Sequence, residues 1–221
     1  MKLFHSDSVS QFPQWFLNTF IIACFTCVIS TMFVLMVAYA TSVMRFKMRK
    51  PLMNMAVILN LFPGMLAMIA VYFTLKSFNL TNSYAGLIMV YSASSGLGYL
   101  IAKGFFDTIP VAIDEAALLD GCTRWQTYWK IVFPLLKPTI ATVAIIDAMA
   151  FWNDYLLPSL VLGRKELYTL PIATQAFYGT YSTDLGLVMA ALLLAMLPIL
   201  VLYLFLQRYI VEGVTSGAVK G

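Results

Sequence analysis

The sequence predicts an all-α fold, a polytopic bundle of transmembrane helices, and three observations lead to this prediction. Apolar residues make up 61% of the 221 residues and charged residues only 11%, whereas about a quarter of the residues in a soluble domain are charged. Five apolar runs are each long enough to cross a bilayer, which takes about 20 residues of helix. Between the third and fourth runs lies one compact, polar stretch with the signals of two short helices.

The five predicted spans cover residues 15–41, 51–75, 84–105, 139–162 and 186–206, with boundaries good to a few residues. Together they form a transmembrane domain over residues 15–208, between a polar segment at 1–14 and a tail at 209–221. Two loops inside the domain are longer than the others, at 106–138 and 163–185.

Lysine and arginine placement predicts the orientation, because cytoplasmic loops of membrane proteins carry an excess of both. Ten of the 14 basic residues fall on one side of the predicted membrane: Arg45, Lys47, Arg49, Lys50, Lys103, Arg124, Lys130, Lys137, Arg208 and Lys220. The other four are Lys2, Lys76, Arg164 and Lys165. Loop 106–138 and the tail are therefore predicted to be cytoplasmic. This bias accounts for the net charge of +4, so the charge does not indicate nucleic-acid binding.

The orientation places the amino terminus outside although no signal peptide precedes it. Either a short polar tail crosses the membrane by itself, or a preceding span is absent from this sequence. We favour the second alternative.

Loop 106–138 has local signals for a first short helix. Asp107 is a capping candidate followed by Pro110 in the first turn, which is a common way for a helix to begin. Asp114 and Glu115 follow near the positive helix end, where acidic side chains are favourable. Gly121 is predicted to end this helix, because glycine adopts the left-handed conformation without strain.

A second short helix is predicted to follow directly. Thr123 and Gln126 have the spacing of a capping box, and the helix is expected to run to about Phe133. Pro134 and Pro138 should prevent it from merging smoothly with the fourth span. The two helices would meet at a glycine and lie in water at the membrane surface.

The exposed face of the first helix has two interpretations. Glu115 shares it with Leu118 and Leu119 by the three-and-four spacing, and the small side chains of Ala116 and Ala117 would let another protein approach the backbone. Such a face fits the cleft of a soluble partner. The alternative is an ordinary solvated loop on the membrane surface, and the spacing alone does not decide between the two.

The stretch resembles the cytoplasmic signature of importer-type ABC permeases, which reads E-A-A, three residues, G, nine residues, I-x-L-P. The positions in register are Glu115, Ala116, Ala117, Gly121, Ile131 and Pro134, with Phe133 in place of the usual leucine. The resemblance implies that these residues, together with Asp120, couple the chain to a cytoplasmic ATPase. In this family the carboxyl tail also reaches the ATPase, which implies contacts by Gly217, Lys220 and Gly221.

Further segments resemble the carbohydrate branch of that family, in particular its smaller maltose-type subunit. They are Trp15-Phe16-Leu17-Asn18, Gly104 to Pro110, Trp152-Asn153-Asp154, Tyr168-Thr169-Leu170-Pro171 and the ending from Gln207 to Gly221. Family members usually have six spans. The resemblance implies a sugar importer in the cytoplasmic membrane of a bacterium or archaeon. Its implied partners are a homologous larger permease, an ATPase dimer, an extracytoplasmic sugar-binding protein and the sugar itself.

Polar residues inside the fourth span are candidates for the translocation path. Asp147 and Asp154 are seven residues apart, which would place them on one helix face, and a carboxylate within the membrane usually faces a cavity or another helix. Trp152 and Asn153 add an aromatic ring and an amide suited to sugars. The alternative is that Asp147 and Asn153 only hydrogen-bond neighbouring helices.

The outer loop is rich in tyrosine, and the resemblance implies that Tyr178 and Tyr181 contact the binding protein. Ordinary anchoring of aromatic side chains at the membrane interface is the alternative.

Several classes of chemistry have no support in the sequence. A phosphate-binding G-x-x-x-x-G-K-[ST] loop is absent, and no cysteine or histidine spacing fits a metal site, so we expect no cofactor, no metal and no enzymatic activity. The rival function is a proton-coupled carrier that uses Asp147 and Asp154. It would leave the Glu115 element without a role.

Overall fold

The computed structural model describes residues 11–61, 64–94, 96–180 and 185–218, and every regular element within these ranges is helical. The α-helices are α1 (Phe12–Val43), α2 (Arg49–Leu61), α3 (Gly64–Ser77), α4 (Tyr84–Ala93), α5 (Gly96–Phe106), α6 (Val111–Leu119), α7 (Arg124–Gln126), α8 (Phe133–Leu135), α9 (Lys137–Asn153), α10 (Leu156–Val161), α11 (Leu170–Thr180) and α12 (Leu185–Ala218). A π-helical turn, Thr127–Val132, joins α7 to α8, and a 3₁₀ turn, Lys165–Leu167, precedes α11.

The chain forms two compact units, each assembled from three stretches of sequence. The first unit comprises Met1–Val28, Pro63–Ser94 and Ala148–Leu204. The second comprises Ile29–Phe62, Ser95–Asp147 and Phe205–Gly221. Helices α1, α9 and α12 contribute residues to both units.

The core of the first unit consists of two buried apolar clusters. One cluster joins α1 to α11 and α12, with Trp15, Trp152 and Leu170 among its members. The other joins α3, α4 and α10, with Leu87 and Val161 fully buried. Both clusters bring together residues far apart in sequence, so the outer loop packs against the start of the chain.

The core of the second unit surrounds the inner part of α1. Leu35, Ala38 and Tyr39 of α1 pack against α5, the π-helical turn and the start of α9. Phe106 and Leu136 are almost fully buried at this point. Helix α1 therefore lies in direct contact with the polar stretch between α5 and α9.

The described helices allow between two and five membrane spans. Helix α1 and residues Val188–Gln207 of α12 are each long and apolar enough to cross alone. Three bent pairs pass the same test together, namely α2 with α3, α4 with α5, and Arg124–Leu135 with α9. The predicted number of five corresponds to counting each bent pair as one span, and it stays a prediction.

The fourth predicted span, 139–162, is not one continuous helix. Helix α9 ends at Asn153 and α10 begins at Leu156. Pro158 explains the break, because it has no N–H for the carbonyl of Asp154 four residues earlier and its ring crowds that carbonyl. Asp154 therefore lies beyond α9, and the prediction that it shares a helix face with Asp147 is wrong.

Two predicted loops contain helix. The outer loop 163–185 includes α11, and α12 continues to Ala218, through most of the predicted tail 209–221. Each residue added to an existing helix gains a backbone hydrogen bond without a new nucleation cost. The long apolar helix before the tail can therefore extend through Gly213 and Gly217, which each cost only about 1 kcal/mol.

Candidate coupling site

Helix α6 ends at Leu119, and Gly121 follows as the left-handed residue that terminates it, as the sequence predicts. Gly121 has a φ of +82°, and two backbone hydrogen bonds close the end: its N–H donates to the Leu118 carbonyl at 3.1 Å, and that of Cys122 donates to the Ala117 carbonyl at 3.0 Å. This is the Schellman arrangement, which satisfies the last carbonyls of a helix. The left-handed glycine turns the chain sharply into the second short helix.

The predicted start of α6 is wrong in one detail. The helix begins at Val111, and Pro110 occupies the capping position without a side-chain hydrogen bond. Asp107 instead forms an ion pair with Lys103, at 2.5 Å from Oδ2 to Nζ. The two residues are one helical turn apart, and this local pairing competes with the capping role.

The predicted capping box at the second helix is confirmed. The Gln126 N–H donates to Thr123 Oγ1 at 3.2 Å, and the Thr123 N–H donates to Gln126 Oε1 at 2.9 Å. The segment then widens into the π-helical turn before Pro134, which cannot donate a backbone hydrogen bond. Arg124–Leu135 meets α9 at an angle of 80°, so the second helix and the fourth span remain separate, as the sequence predicts.

A buried carboxylate joins these elements to α1. Asp114 is 6% exposed and accepts a hydrogen bond from the Tyr39 hydroxyl at 2.8 Å. Its other oxygen forms an ion pair with Arg124 of the second short helix. Because this hydrogen bond stabilises the charged guanidinium, it raises the pKa of Arg124 above its ordinary value, and Arg124 stays protonated. The sequence predicts Asp114 only as an acidic residue at a favourable helix end, and no local signal indicates this role.

Aromatic rings pack around Tyr39, which donates the hydrogen bond to the buried carboxylate. The centroid of the Tyr39 ring lies 5.2 Å from that of Tyr128 and 5.9 Å from that of Phe106. The ring centroids of Tyr128 and Trp129 are 5.0 Å apart. Burial raises the pKa of the Tyr128 phenol to about 12, so its hydroxyl stays neutral. Tyr128 Oη has no hydrogen-bond partner among the described residues. The cluster is therefore held by packing, and its polar contact runs through Tyr39.

The opposite side of the element is exposed. Glu115, Ala116, Asp120, Gly121 and Pro134 are exposed, and Ile131 is half-buried. Leu119 is 89% exposed and Trp125 is 59% exposed, which is unusual for large apolar side chains in water. We call the exposed residues Glu115, Ala116, Leu119, Asp120, Gly121 and Trp125 the coupling face.

Ala117 differs from the expectation for the two alanines. It is only 3% exposed, because it lies one turn away from Asp114 on the side of α6 that faces the π-helical turn. Its small side chain therefore allows close packing within the chain, whereas only Ala116 leaves the backbone open to a partner.

Comparison with known proteins assigns the chain to a family. The family model described as "Binding-protein-dependent transport system inner membrane component" matches residues 30–216, and this range includes α6 and the whole coupling face. The chain belongs to this family. It is thus a membrane permease component and not an enzyme, since ATP is hydrolysed by a separate subunit. Membership implies partners of three kinds: a second permease, an ATPase and a substrate-binding protein.

Individual relatives are similar over nearly the whole chain. The probable starch degradation products transport system permease protein AmyC of Thermoanaerobacterium thermosulfurigenes is 39% identical over 93% of this chain and 75% of its own length. The maltodextrin transport system permease protein MalD of Streptococcus pneumoniae is 34% identical over 95% of this chain and 76% of its own length. The melibiose/raffinose/stachyose import permease protein MelC of Bacillus subtilis is 36% identical over 93% and 75%.

A solved structure has the same fold. It is the crystal structure of a bacterial ABC transporter involved in the import of the acidic polysaccharide alginate, with a TM-score of 0.81 over 92% of this permease and 76% of the compared chain. The sequence identity is 22%, so this likeness supports the fold alone.

The candidate path residues of the permease have different environments. Asp147 is buried, and Ser30 of α1 donates a hydrogen bond to its carboxylate at 2.7 Å. Asn153 is exposed and donates to the Met149 carbonyl of its own helix at 2.8 Å. The Asp147 contact favours the alternative in which that side chain only hydrogen-bonds a neighbouring helix. The Asn153 contact lies within its own helix and does not favour it, so the path assignments remain predictions.

The other two candidates lie within the first unit. Trp152 is buried, and its indole N–H donates to the Ala195 carbonyl at 2.9 Å, so its ring faces are covered by protein. Asp154 is half-buried, accepting a hydrogen bond from the Tyr91 hydroxyl at 2.7 Å and from the Leu156 N–H at 2.9 Å. Asp154 thereby helps α10 to begin.

The predicted partner contacts at the chain's outer loop and tail are only partly within the described residues. Tyr178 belongs to α11 and Gly217 to α12 by their backbone. Tyr181, Lys220 and Gly221 lie outside the described residues. These five assignments remain predictions.

The start of α1 is hydrogen-bonded to the backbone of residues 165–170 in the outer loop. Asn18 Nδ2 donates to the carbonyls of Glu166 and Tyr168 at 2.8 and 3.0 Å, and Trp15 Nε1 donates to the Lys165 carbonyl at 2.8 Å. Thr19 Oγ1 accepts from the Leu170 N–H at 2.8 Å. Side chains of α1 thus hold the backbone that leads into α11.

We expect Asn18→Ala to destabilise the permease by about 1–3 kcal/mol, because it leaves two part-buried carbonyls without their donor. Asn153→Ala is the matched control, since that exposed amide bonds only within its own helix. Thermal unfolding in detergent should show a lower midpoint for Asn18→Ala than for Asn153→Ala. Equal midpoints would contradict the inferred hold on the outer loop.

Proposed function

We propose that this permease is one of two homologous transmembrane subunits of an importer for di- or oligosaccharides. Its named relatives carry starch degradation products, maltodextrin, and melibiose, raffinose and stachyose, and they cover more than nine-tenths of the chain. The further partners would be a dimer of cytoplasmic ATPases and an extracytoplasmic sugar-binding protein. The coupling face and the carboxyl terminus would lie in the cytoplasm, in accordance with the lysine and arginine bias.

The coupling face carries the mechanistic part of this proposal. It combines the exposed carboxylates of Glu115 and Asp120 with two large exposed apolar side chains, Leu119 of α6 and Trp125 of α7. The buried Asp114 holds α6 in place. A rigid, part-apolar helix that is exposed in this way fits a groove on another protein. We propose that the groove belongs to the ATPase, so that closure of the ATPase dimer moves α6 and the membrane helices attached to it.

The remaining site assignments follow from this arrangement as proposals. Gly217, Lys220 and Gly221 would reach the ATPase at the end of α12, and Tyr178 and Tyr181 would contact the binding protein next to α11. Asn153 and Asp154 would line the sugar path, because their side chains are accessible. Asp147 and Trp152 would hold helices around that path.

The proton-coupled carrier is not favoured. Its two carboxylates each have a structural task, Asp147 with Ser30 and Asp154 with Tyr91. It also gives no role to an exposed coupling face. The membership of the chain in a binding-protein-dependent family supports the importer instead.

Uptake by reconstituted vesicles tests the proposal. The permease, the second permease subunit and the ATPase are reconstituted into vesicles with the ATPase facing the lumen. ATP is enclosed in the lumen, and labelled maltodextrin and the binding protein are added outside. We expect uptake to require both the enclosed ATP and the binding protein, and to survive a protonophore. Uptake that needs neither and that the protonophore abolishes would support the carrier and overturn the importer.

A further inference from the structure

We propose that Asp114 is the positioning residue that fixes the coupling face and connects it to α1, through Tyr39 on one side and Arg124 on the other. The inference rests on the proposed function and adds to it the route by which movement of α6 enters the membrane helices. It makes α1 the first transmembrane helix to respond.

The contacts of Asp114 fix the orientation of α6 about its own axis. Successive residues on a helix point about 100° apart, so fixing the buried Asp114 also fixes where the adjacent Glu115 points. Two contacts from different elements hold Asp114, the Tyr39 hydroxyl of α1 and the guanidinium of Arg124. Rotation of α6 about its axis would break both contacts. The coupling face therefore keeps one orientation.

The buried group at this position is charged. Burying the Asp114 carboxylate costs free energy because it must leave water, whereas Arg124 remains 43% exposed and keeps part of its hydration. Apolar side chains would fill the space between α1 and α6 without this cost, as the neighbouring Tyr128 and Phe106 rings do. A hydrogen-bonded carboxylate differs from apolar packing in being directional, and direction is the property that a coupling element needs.

The contact with Tyr39 leads from α6 into α1. Tyr39 lies one turn before the end of α1, so a displacement of Asp114 acts on the last part of that helix. Thr41, two residues later, is hydrogen-bonded to the Tyr99 hydroxyl of α5 at 3.1 Å. The path thus consists of two hydrogen bonds, Asp114 with Tyr39 and Thr41 with Tyr99, which are joined through the backbone of α1 and all lie within the second unit. Such contiguity is necessary for coupling, and a functional measurement must show that it is used.

Helix α6 has open space beside its start. A cleft of about 370 Å³ lies beside the start of α6, and Arg49, Lys103, Pro110, Val111 and Asp114 are among the residues that line it. The start of α6 is therefore not packed on that side. The hold at Asp114 is a fixed point about which this helix can tilt into open space.

Removing one hydroxyl tests the inference. Tyr39→Phe keeps the ring and its aromatic contacts but removes the hydrogen bond to Asp114. In the reconstituted importer we expect the number of sugars transported per ATP hydrolysed to fall about tenfold or more, the size of effect typical for a hydrogen bond to a charged group. ATPase co-purification should stay close to that of the unaltered protein, and the thermal midpoint should fall no further than that of Asn18→Ala, whose transport ratio should not change.

Tyr128→Phe is the matched control. It removes a hydroxyl from the same aromatic cluster that has no hydrogen-bond partner among the described residues, so the transport ratio should not change. Arg124 gives a second, independent pair of variants because its side chain is accessible. Arg124→Gln should lower the ratio, and Arg124→Lys should retain most of it.

The outcomes separate the inference from the proposed function. If Tyr39→Phe and Arg124→Gln leave the ratio unchanged while Glu115→Lys abolishes uptake, the Asp114 route is wrong and the ATPase contact stands. A fall that Tyr128→Phe reproduces, or that only follows a lower thermal midpoint, would reduce Asp114 to a structural role and overturn the inference. Normal uptake by Glu115→Lys would overturn both.

Discussion

Glu115→Lys is expected to reduce ATP-driven uptake about tenfold or more while the chain still inserts into the membrane. The Glu115 side chain is exposed one helical turn before Leu119, and reversing its charge adds a repulsive group to the coupling face. Reversal of a charge that is complementary to a partner costs several kcal/mol, and about 1.4 kcal/mol already corresponds to tenfold. Uptake into ATP-loaded vesicles and co-purification of the ATPase measure the effect.

Two controls define the source of that effect. Glu166→Lys makes the same change of charge at an exposed residue of the outer loop, and it should leave ATPase co-purification unaltered. Glu115→Gln removes the charge without reversing it and should give an intermediate loss. A Glu115→Lys permease that binds the ATPase and transports at the normal rate would show that the coupling face has been assigned wrongly.

Local signals in the sequence were sufficient to predict the coupling element. The Gly121 turn and the capping box of Thr123 with Gln126 each depend on residues within one or two helical turns, and both are confirmed. The angle before α9 also follows from a local cause, the prolines at 134 and 138. Helix ends of this kind are specified by their own few residues.

Contacts between distant residues could not be predicted in the same way. Asp114 is held by Tyr39, 75 residues away, and nothing in the spacing shows which of two adjacent acidic residues is buried. The hold of Asn18 on the outer loop spans 148 and 150 residues. The resemblance includes the segments 15–18 and 168–171, but the hydrogen bond between Asn18 and Tyr168 depends on the tertiary fold.

The break after Asn153 is a third case, in which the signal was present but was not used. Pro158 lies four residues after Asp154, which is the distance at which proline disrupts a helix. A helix across 139–162 was therefore unlikely from the sequence itself. Recognising the break would have excluded the same-face argument for Asp147 and Asp154.

Gly86→Ala is expected to have a large destabilising effect on the permease. A β-carbon at this position would lie 2.3 Å from the Leu80 carbonyl oxygen, far inside van der Waals contact. The carbonyl cannot move away easily, because it already accepts a hydrogen bond from Ser83 Oγ at 2.8 Å and the Leu80 N–H donates to the Leu75 carbonyl at 2.8 Å. Overpacking of this kind costs about 1–3 kcal/mol and occasionally more.

The turn before α4 is also tied to the end of α10, which prevents it from relaxing. Asn82 donates its N–H to the Val161 carbonyl at 2.9 Å, and its side chain accepts from the Gly163 N–H at 2.5 Å. Thermal unfolding of Gly86→Ala in detergent should therefore show a midpoint lower by roughly 5 °C or more.

Gly104→Ala is the control that separates steric conflict from a general effect of replacing glycine. A β-carbon on Gly104 of α5 would meet no atom within 4 Å, and alanine stabilises a helix interior by about 0.5–1 kcal/mol relative to glycine. Its midpoint should be unchanged or higher. If the two variants unfold at the same temperature, the turn at Leu80 is able to yield, and the close approach at Gly86 does not constrain how α4 begins.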